Sequence, residues 1–197
     1  MEYTDKHMQF ISIAIDLMNK NGFSKLTLDD VARVAGISTP TLYYYFKNKN
    51  EVVKGAISKA MLDARENICI SIGKAGSYEA QLENLALALY DSLCSTSFVL
   101  DIDTHIKSQL VLLSHDLIND FNSFLCSQVS DILTNASNAG VFHTDDIPGT
   151  SAIITETIWA LLHNNIATPD FKNAGKKLQC LIRLFTTGLI PKDYKEI

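Results

Sequence analysis

The stretch STPTLYYYF, Ser38 to Phe46, sets three consecutive tyrosines close behind a proline. Aromatic residues suit a half-buried strand, and they suit a short helix that shows some of them to a partner, so the flanking residues decide. Upstream, Leu28, Val31, Ala32 and Ala35 fall at helical spacing behind Thr27. The Thr27 hydroxyl can cap the free amides of that helix, and Asp30, three residues on, imperfectly completes a capping box and favours the positive helix end. Gly36 then closes it. After Ile37 comes Ser38, a second good N-cap, with Pro40 inside the first turn, where a missing amide costs little. Ser38 to Phe46 therefore reads as a helix, set off from its predecessor by a turn of about three residues around a glycine.

Working outward, Phe10, Ala14, Leu17 and Met18 make one face of an earlier helix that Asn21 and Gly22 stop. Downstream, Asn48 with Glu51 three residues later marks the start of a long helix carrying Val53, Ala56, Ile57, Ala60, Met61, Ala64 and Ile68. Residues 73–77 interrupt it. Leu82, Leu85, Ala86, Leu89 and Leu93 resume the period, with Leu87, Tyr90 and Cys94 on the other side, as in a helix buried on several faces. Further helices fit 103–113, 117–139, 148–167 and 170–189. No strand, internal repeat, low-complexity tract or long linker interrupts this pattern. It predicts an all-α chain, a three-helix head over 1–50 joined directly to a larger helical bundle over 51–197.

With 197 residues, 47% of them apolar and 20% charged, the chain can bury a full core. The net charge of −5 argues against a nucleic-acid partner until it is divided along the chain. Residues 1–60 carry eight Lys or Arg against six Asp or Glu, and the rest carry nine against sixteen. A mildly basic head on an acidic body is the result. No run approaches the roughly 18 apolar residues of a membrane span, and the start has no leader pattern, so the expectation is a cytoplasmic protein away from membranes. Cys69, Cys94, Cys126 and Cys180 lie far apart and are expected to be buried free thiols; no cofactor or metal is implied.

On the third helix, Leu42, Tyr45 and Phe46 fall to one side and Thr39, Pro40, Tyr43 and Tyr44 to the other. The first set can anchor the helix. The second, with Thr41, is left on the N-terminal portion that a helix-turn-helix presents to the major groove. A tyrosine can donate to a phosphate and lay its ring beside a thymine methyl. Lys49 sits in the first turn of the next helix, where a cation opposes the macrodipole unless a phosphate is held there by ammonium and free amides together. Lys47 is two residues away.

The run TLDDVARVAGISTPTLYYYFKNKNEV, preceded by Ala14, Leu17 and Gly22-Phe23, resembles the N-terminal domain of TetR/AcrR-type bacterial transcriptional regulators, with a tetracycline-repressor-like helix-turn-helix. The likeness is specific over about the first 55 residues. Beyond them, Ala139-Gly140-Val141-Phe142 and the late LFTTGL match a looser pattern. It implies an all-α fold of about nine helices and a homodimeric repressor that binds double-stranded DNA at a palindromic operator. Its bundle would take a small apolar or amphipathic inducer. Thr27, Thr39, Pro40, Thr41, Tyr43, Tyr44 and Lys49 carry over as operator contacts, with Ser38 and Lys47 beside them. Where the tetracycline repressor has a base-reading arginine in the second helix, this chain has Asp29, which argues against the tetracycline operator as target. Arg33 is at best a backbone contact.

Other constellations yield to plainer readings. Asp101 and His105 stand one helical turn apart but have no third ligand. Ser114-His115-Asp116 holds hydrolase residue types in consecutive positions, whereas triads assemble in space, so Ser114 is better read as an N-cap. No phosphate loop, nucleophile elbow or zinc-protease motif supports an enzyme. The apolar surplus over 78–139 suits a ligand cavity, for which Tyr90, His105, Gln109, Phe121 and Trp159 are the candidates. The rows Ile154, Ile158, Leu161, Leu162 and Leu178, Leu181, Ile182, Phe185 suit a dimer interface through the last two helices. The alternative is a body that answers to a protein partner instead of a small molecule.

Overall fold

In a computed structural model, which describes residues 3–95, 114–165 and 173–189, every element is helical. In chain order they are α1 (Asp5–Asn21), a 3₁₀ turn (Phe23–Lys25), α2 (Leu28–Ala35), α3 (Thr39–Tyr45), α4 (Lys49–Gly73), α5 (Tyr78–Ser95), α6 (His115–Asn138), α7 (Ile147–Asn165) and α8 (Ala174–Leu189). The helix expected at 103–113, and with it Asp101, His105 and Gln109, lies outside the described residues. Two compact units result, Met1–Asp63 with Leu93–Ile118 and Ala64–Ser92 with Asn119–Ile197.

The boundaries in the first unit follow from local chemistry. Thr27 Oγ1 accepts the amide of Asp30 at 3.1 Å, and Ser38 Oγ accepts that of Thr41 at 3.3 Å, so each cap satisfies one orphan donor. Gly36 ends α2 in the left-handed region, at φ +68, which a side chain would oppose. Asn48 caps α4 by accepting the amide of Glu51 at 3.0 Å, and the Glu51 carboxylate reaches back to the amide of Lys47 at 2.8 Å. The core these helices enclose contains Phe10, Ile11, Ala14 and Met18 of α1, Val31 and Ala32 of α2, Leu42 and Phe46, and Val52, Val53 and Ala56 of α4. Each large side chain buried there stabilises by about 1.5–3 kcal/mol. Gly55 lets α1 and α4 approach closely, because a Cβ there would lie 2.5 Å from Cδ1 of Ile11.

The second unit is built from long helices with buried rows Leu82, Leu85, Leu89 on α5 and Phe121, Leu125, Val129, Ile132 on α6. Arg65 reaches Asp120 at 2.7 Å and lies 4.8 Å from the Phe124 ring centre. Gln179 of α8 donates to Glu83 of α5 at 2.6 Å, and the amide of His143 donates to the carbonyl of Leu189 at 2.7 Å.

Three expectations are corrected here. Ile154, Ile158, Leu162, Leu178 and Ile182 are buried within the chain itself, where α7 and α8 pack on each other, so most of the rows assigned to a partner belong to the chain's own core. The large apolar residues exposed on these helices are Ile153 and Leu184, 58% and 70% accessible. Cys69, Cys94 and Cys180 are exposed and Cys126 half-buried, because helical period and not hydrophobicity alone decides which side a thiol faces. Ser114 occupies the N-cap position of α6, and its carbonyl accepts the amide of Ile118 at 2.9 Å, yet its buried hydroxyl has no hydrogen-bond partner among the described residues.

Candidate nucleic-acid interface

The surface offered by α2 and α3 is set by what lies beneath it. Leu42 and Phe46 are 0% and 1% exposed, and Tyr45 turns its ring edge-on to Phe10 with centroids 5.1 Å apart. With that side pinned, period 3.6 forces the other out. Tyr43 is 52% and Tyr44 88% accessible, Pro40 and Thr41 are exposed, and Thr39 is half-buried. Two phenols, a proline ring and a threonine thus share one face of a seven-residue helix. Leaving such a ring uncovered in water has a free-energy cost that a partner surface can relieve.

The polar groups are already partly engaged. The hydroxyls of Ser38 and Thr41 are 2.7 Å apart, so Ser38 serves first as a cap. Thr27 Oγ1 lies 2.6 Å from Asp30 Oδ2 and donates to it. Arg33 pairs with the other oxygen of Asp30. The hydrogen bond from Thr27, then that from Arg33, holds the Asp30 carboxyl below the usual carboxylate range. Arg33 therefore directs part of its charge into α2.

Lys47 is exposed, with its backbone amide committed to Glu51. Lys49 has an arrangement that sequence reasoning missed. Its Nζ donates to the carbonyl of Phe23 at 2.9 Å and stands 4.6 Å from the centre of the Phe23 ring. Burial pushes the Lys49 pKa down. A cation in the first turn of α4 is thus accounted for without a phosphate: a carbonyl and a ring face hold it against the macrodipole. Two N–H donors of the ammonium remain. No local signal marks Phe23 as the partner, because it lies 26 residues upstream.

The candidate ligand residues are brought together only in part. Phe121 and Trp159 meet edge-to-face at 6.2 Å, and Trp159 Nε1 is buried without a hydrogen-bond partner among the described residues. Tyr90 is half-buried near Gly175, where an added Cβ would lie 3.4 Å from its ring. A cleft of about 110 Å³ lies in the first unit, lined by Tyr3, Phe46, Glu51, Lys54, Ser58 and Leu117, and Tyr90, Phe121 and Trp159 are not among these lining residues. Among the described residues no cluster of His, Cys, Asp or Glu could hold a metal ion, and no helix is long and apolar enough to cross a membrane.

Residues 10–56 match the family described as bacterial regulatory proteins, tetR family. Among curated proteins the chain is 28% identical over 96 residues to a fatty acid metabolism regulator protein of Bacillus subtilis, covering 42% of this chain and 50% of that one. It is 27% identical over 124 residues to the biofilm operon icaADBC HTH-type negative transcriptional regulator IcaR of Staphylococcus aureus, covering 63% and 61%. The match spans between half and about three-fifths of these relatives' lengths. All of them are regulators and none is an enzyme. The fold is shared with a transcriptional regulator from Cytophaga hutchinsonii, with TM-score 0.84, 14% identity and coverage of 95% of this chain and 100% of that one. It is shared also with the fatty acid degradation regulator FadR from Bacillus halodurans, with TM-score 0.66, 19% identity and coverage of 98% and 99%.

Proposed function

We propose that this chain, whose residues 10–56 match the tetR family of bacterial regulatory proteins, is a cytoplasmic, homodimeric DNA-binding transcriptional repressor. The observation that carries this reading is the outward face of α3, where Tyr43 and Tyr44 stand exposed while Leu42 and Phe46 hold the helix from behind. Residues 1–50 act as the DNA-binding head. Pro40, Thr41, Tyr43 and Tyr44 enter the major groove; Thr27, Ser38, Thr39, Lys47 and the two remaining donors of Lys49 take backbone phosphates or the groove edge. Family relatives named as a negative regulator of an operon support repression.

Residues 51–197 are proposed to dimerise and to bind a small apolar or amphipathic inducer. Ile153 on α7 and Leu184 on α8 are the uncovered apolar side chains from which an interface through the last two helices would be built, and a permanent dimer needs on the order of 2,000 Å² in total. Phe121, Trp159 and Tyr90 are the proposed ligand contacts within the described residues. An inducer acts only through differential affinity for the two forms, and a ~100-fold preference supplies about 2.7 kcal/mol of coupling. Selection of bound sequences from random DNA tests the whole reading. Recovery of a palindrome is the expected result, and recovery of no preferred sequence would count against it. Release of that duplex by a protein and by no small molecule would favour a body that answers to a protein partner.

A further inference from the structure

His7 lies on α1, outside the α2–α3 pair that forms the helix-turn-helix, yet its ring reaches α3. The imidazole is half-buried and lies 5.1 Å from Tyr45 and 5.3 Å from Phe46, both edge-on, and 5.9 Å from Tyr3. Tyr45 in turn meets Tyr44 edge-to-face at 5.6 Å. A line of ring contacts therefore runs from α1 to the most exposed aromatic of α3. The other end of His7 is fixed as well. Nδ1 accepts the backbone amide of Thr4 at 3.3 Å and lies 2.7 Å from its hydroxyl, so the ring closes the capping box of α1. Helix α3 has only seven residues, and a helix so short holds its side-chain directions mainly through what it packs against. Phe10 backs the Tyr45 ring from one side and His7 from another. Edge-to-face pairs of this kind have a preferred geometry, so fixing Tyr45 also fixes the Tyr44 ring that rests on it.

We propose that His7 is a positioning residue, which holds the Tyr44–Tyr45 pair in the arrangement that α3 presents to DNA. This rests on the reading of α3 as the recognition helix. A residue whose role is confined to capping α1 behaves differently under substitution. Gln serves a capping box as well as His does, so His7→Gln keeps the cap and loses the ring, whereas His7→Phe keeps the ring and loses the acceptor.

The test uses the full chain and the duplex that the unaltered chain selects from random DNA. His7→Gln is expected to stay folded with a modestly lowered thermal midpoint and to weaken binding roughly three- to ten-fold, the scale of one or two lost aromatic pairs. His7→Phe is expected to lower the midpoint and to bind within about twofold of the unaltered chain. In a Tyr44→Ala background, His7→Gln should have no further effect on binding. Without DNA, the ring proton resonances of Tyr44 should move in His7→Gln. Unchanged binding and unchanged Tyr44 resonances in His7→Gln would overturn the proposal, as would an equal effect of the substitution with and without Tyr44. If the unaltered chain selects no duplex, the DNA reading falls and the role with it, while the Tyr44 resonances still report separately whether His7 holds that ring.

Discussion

Lys49→Met removes an ammonium and keeps most of its stem, so it isolates the contact between α4 and the turn at Phe23. The ammonium makes one charge-assisted bond to the Phe23 carbonyl at 2.9 Å and one ring contact at 4.6 Å. A hydrogen bond to a charged group is worth about 1.5–3 kcal/mol net, and an exposed cation–π contact about 0.5–1. Both must be reduced. Burial already disfavours the charged form, so part of the gain offsets desolvation, and the side chain stays open enough to solvent to be screened. The expected loss is about 1–2 kcal/mol, which should lower hydrogen-exchange protection of the slowest head amides roughly 5- to 30-fold. Tryptophan fluorescence will not follow this change closely, since Trp159 is the one tryptophan and belongs to the second unit. If Lys49 also holds a phosphate through its free donors, the slope of log affinity against log salt should fall by roughly one. Unaltered protection would show that the contact with Phe23 stabilises nothing. Lowered protection with an unaltered slope would leave Lys49 a structural residue and remove it from the DNA interface.

Tyr43→Ala should weaken binding of the selected duplex by ~1–3 kcal/mol if the ring touches a base, while leaving the fold intact; full affinity from a folded variant would mean that α3 docks in another way. Leu184→Glu places a charge at the most exposed apolar residue of α8 and should shift the chain toward monomer in light scattering, with Leu178→Ala instead lowering stability by about 2–5 kcal/mol through the chain's own core. A Leu184→Glu dimer as tight as the unaltered one would exclude that face. The α2 cap should loosen in acid. Because the Asp30 carboxyl is held below its ordinary value, its contribution is present above the unfolded pKa, near 4, and is lost as pH falls through the lower folded value. The protection factor of the Asp30 amide, measured against the intrinsic rate at each pH, should fall in that window and lose this dependence in Asp30→Asn; an identical profile in both would place the cause elsewhere.

The helix boundaries of the head were legible because each depends on residues within three or four positions of it. Thr27, Gly36, Ser38 and Asn48 cap or stop helices through bonds to near neighbours, and such chemistry can be read along a line. The outward set on α3 was legible for the same reason, once Leu42 and Phe46 were recognised as its anchors. Contacts between distant residues were not. Nothing near Lys49 announces Phe23, and nothing near Tyr45 announces His7. Periodicity also identifies an apolar face without saying what covers it. Ile154, Ile158 and Ile182 have the spacing of an interface and the burial of a core, and only the packing of α7 on α8 distinguishes the two. The Ser114 hydroxyl shows the remaining gap: residue type and position were those of a cap, and the hydroxyl nevertheless bonds to none of the described amides.

The core of the head runs only from Phe10 to Ala56. Its hydrogen bond from Lys49 to Phe23 spans 26 residues. In the second unit, Arg65 must wait for Asp120, 55 residues later, and Glu83 for Gln179, 96 residues later. Loop closure over such separations slows folding, and a chain leaves the ribosome from its N-terminus. The order of synthesis therefore favours the head: α1 to α4 can close their core while most of the second unit has yet to be made, and the bond between α8 and α5 can form only once residue 179 has been added.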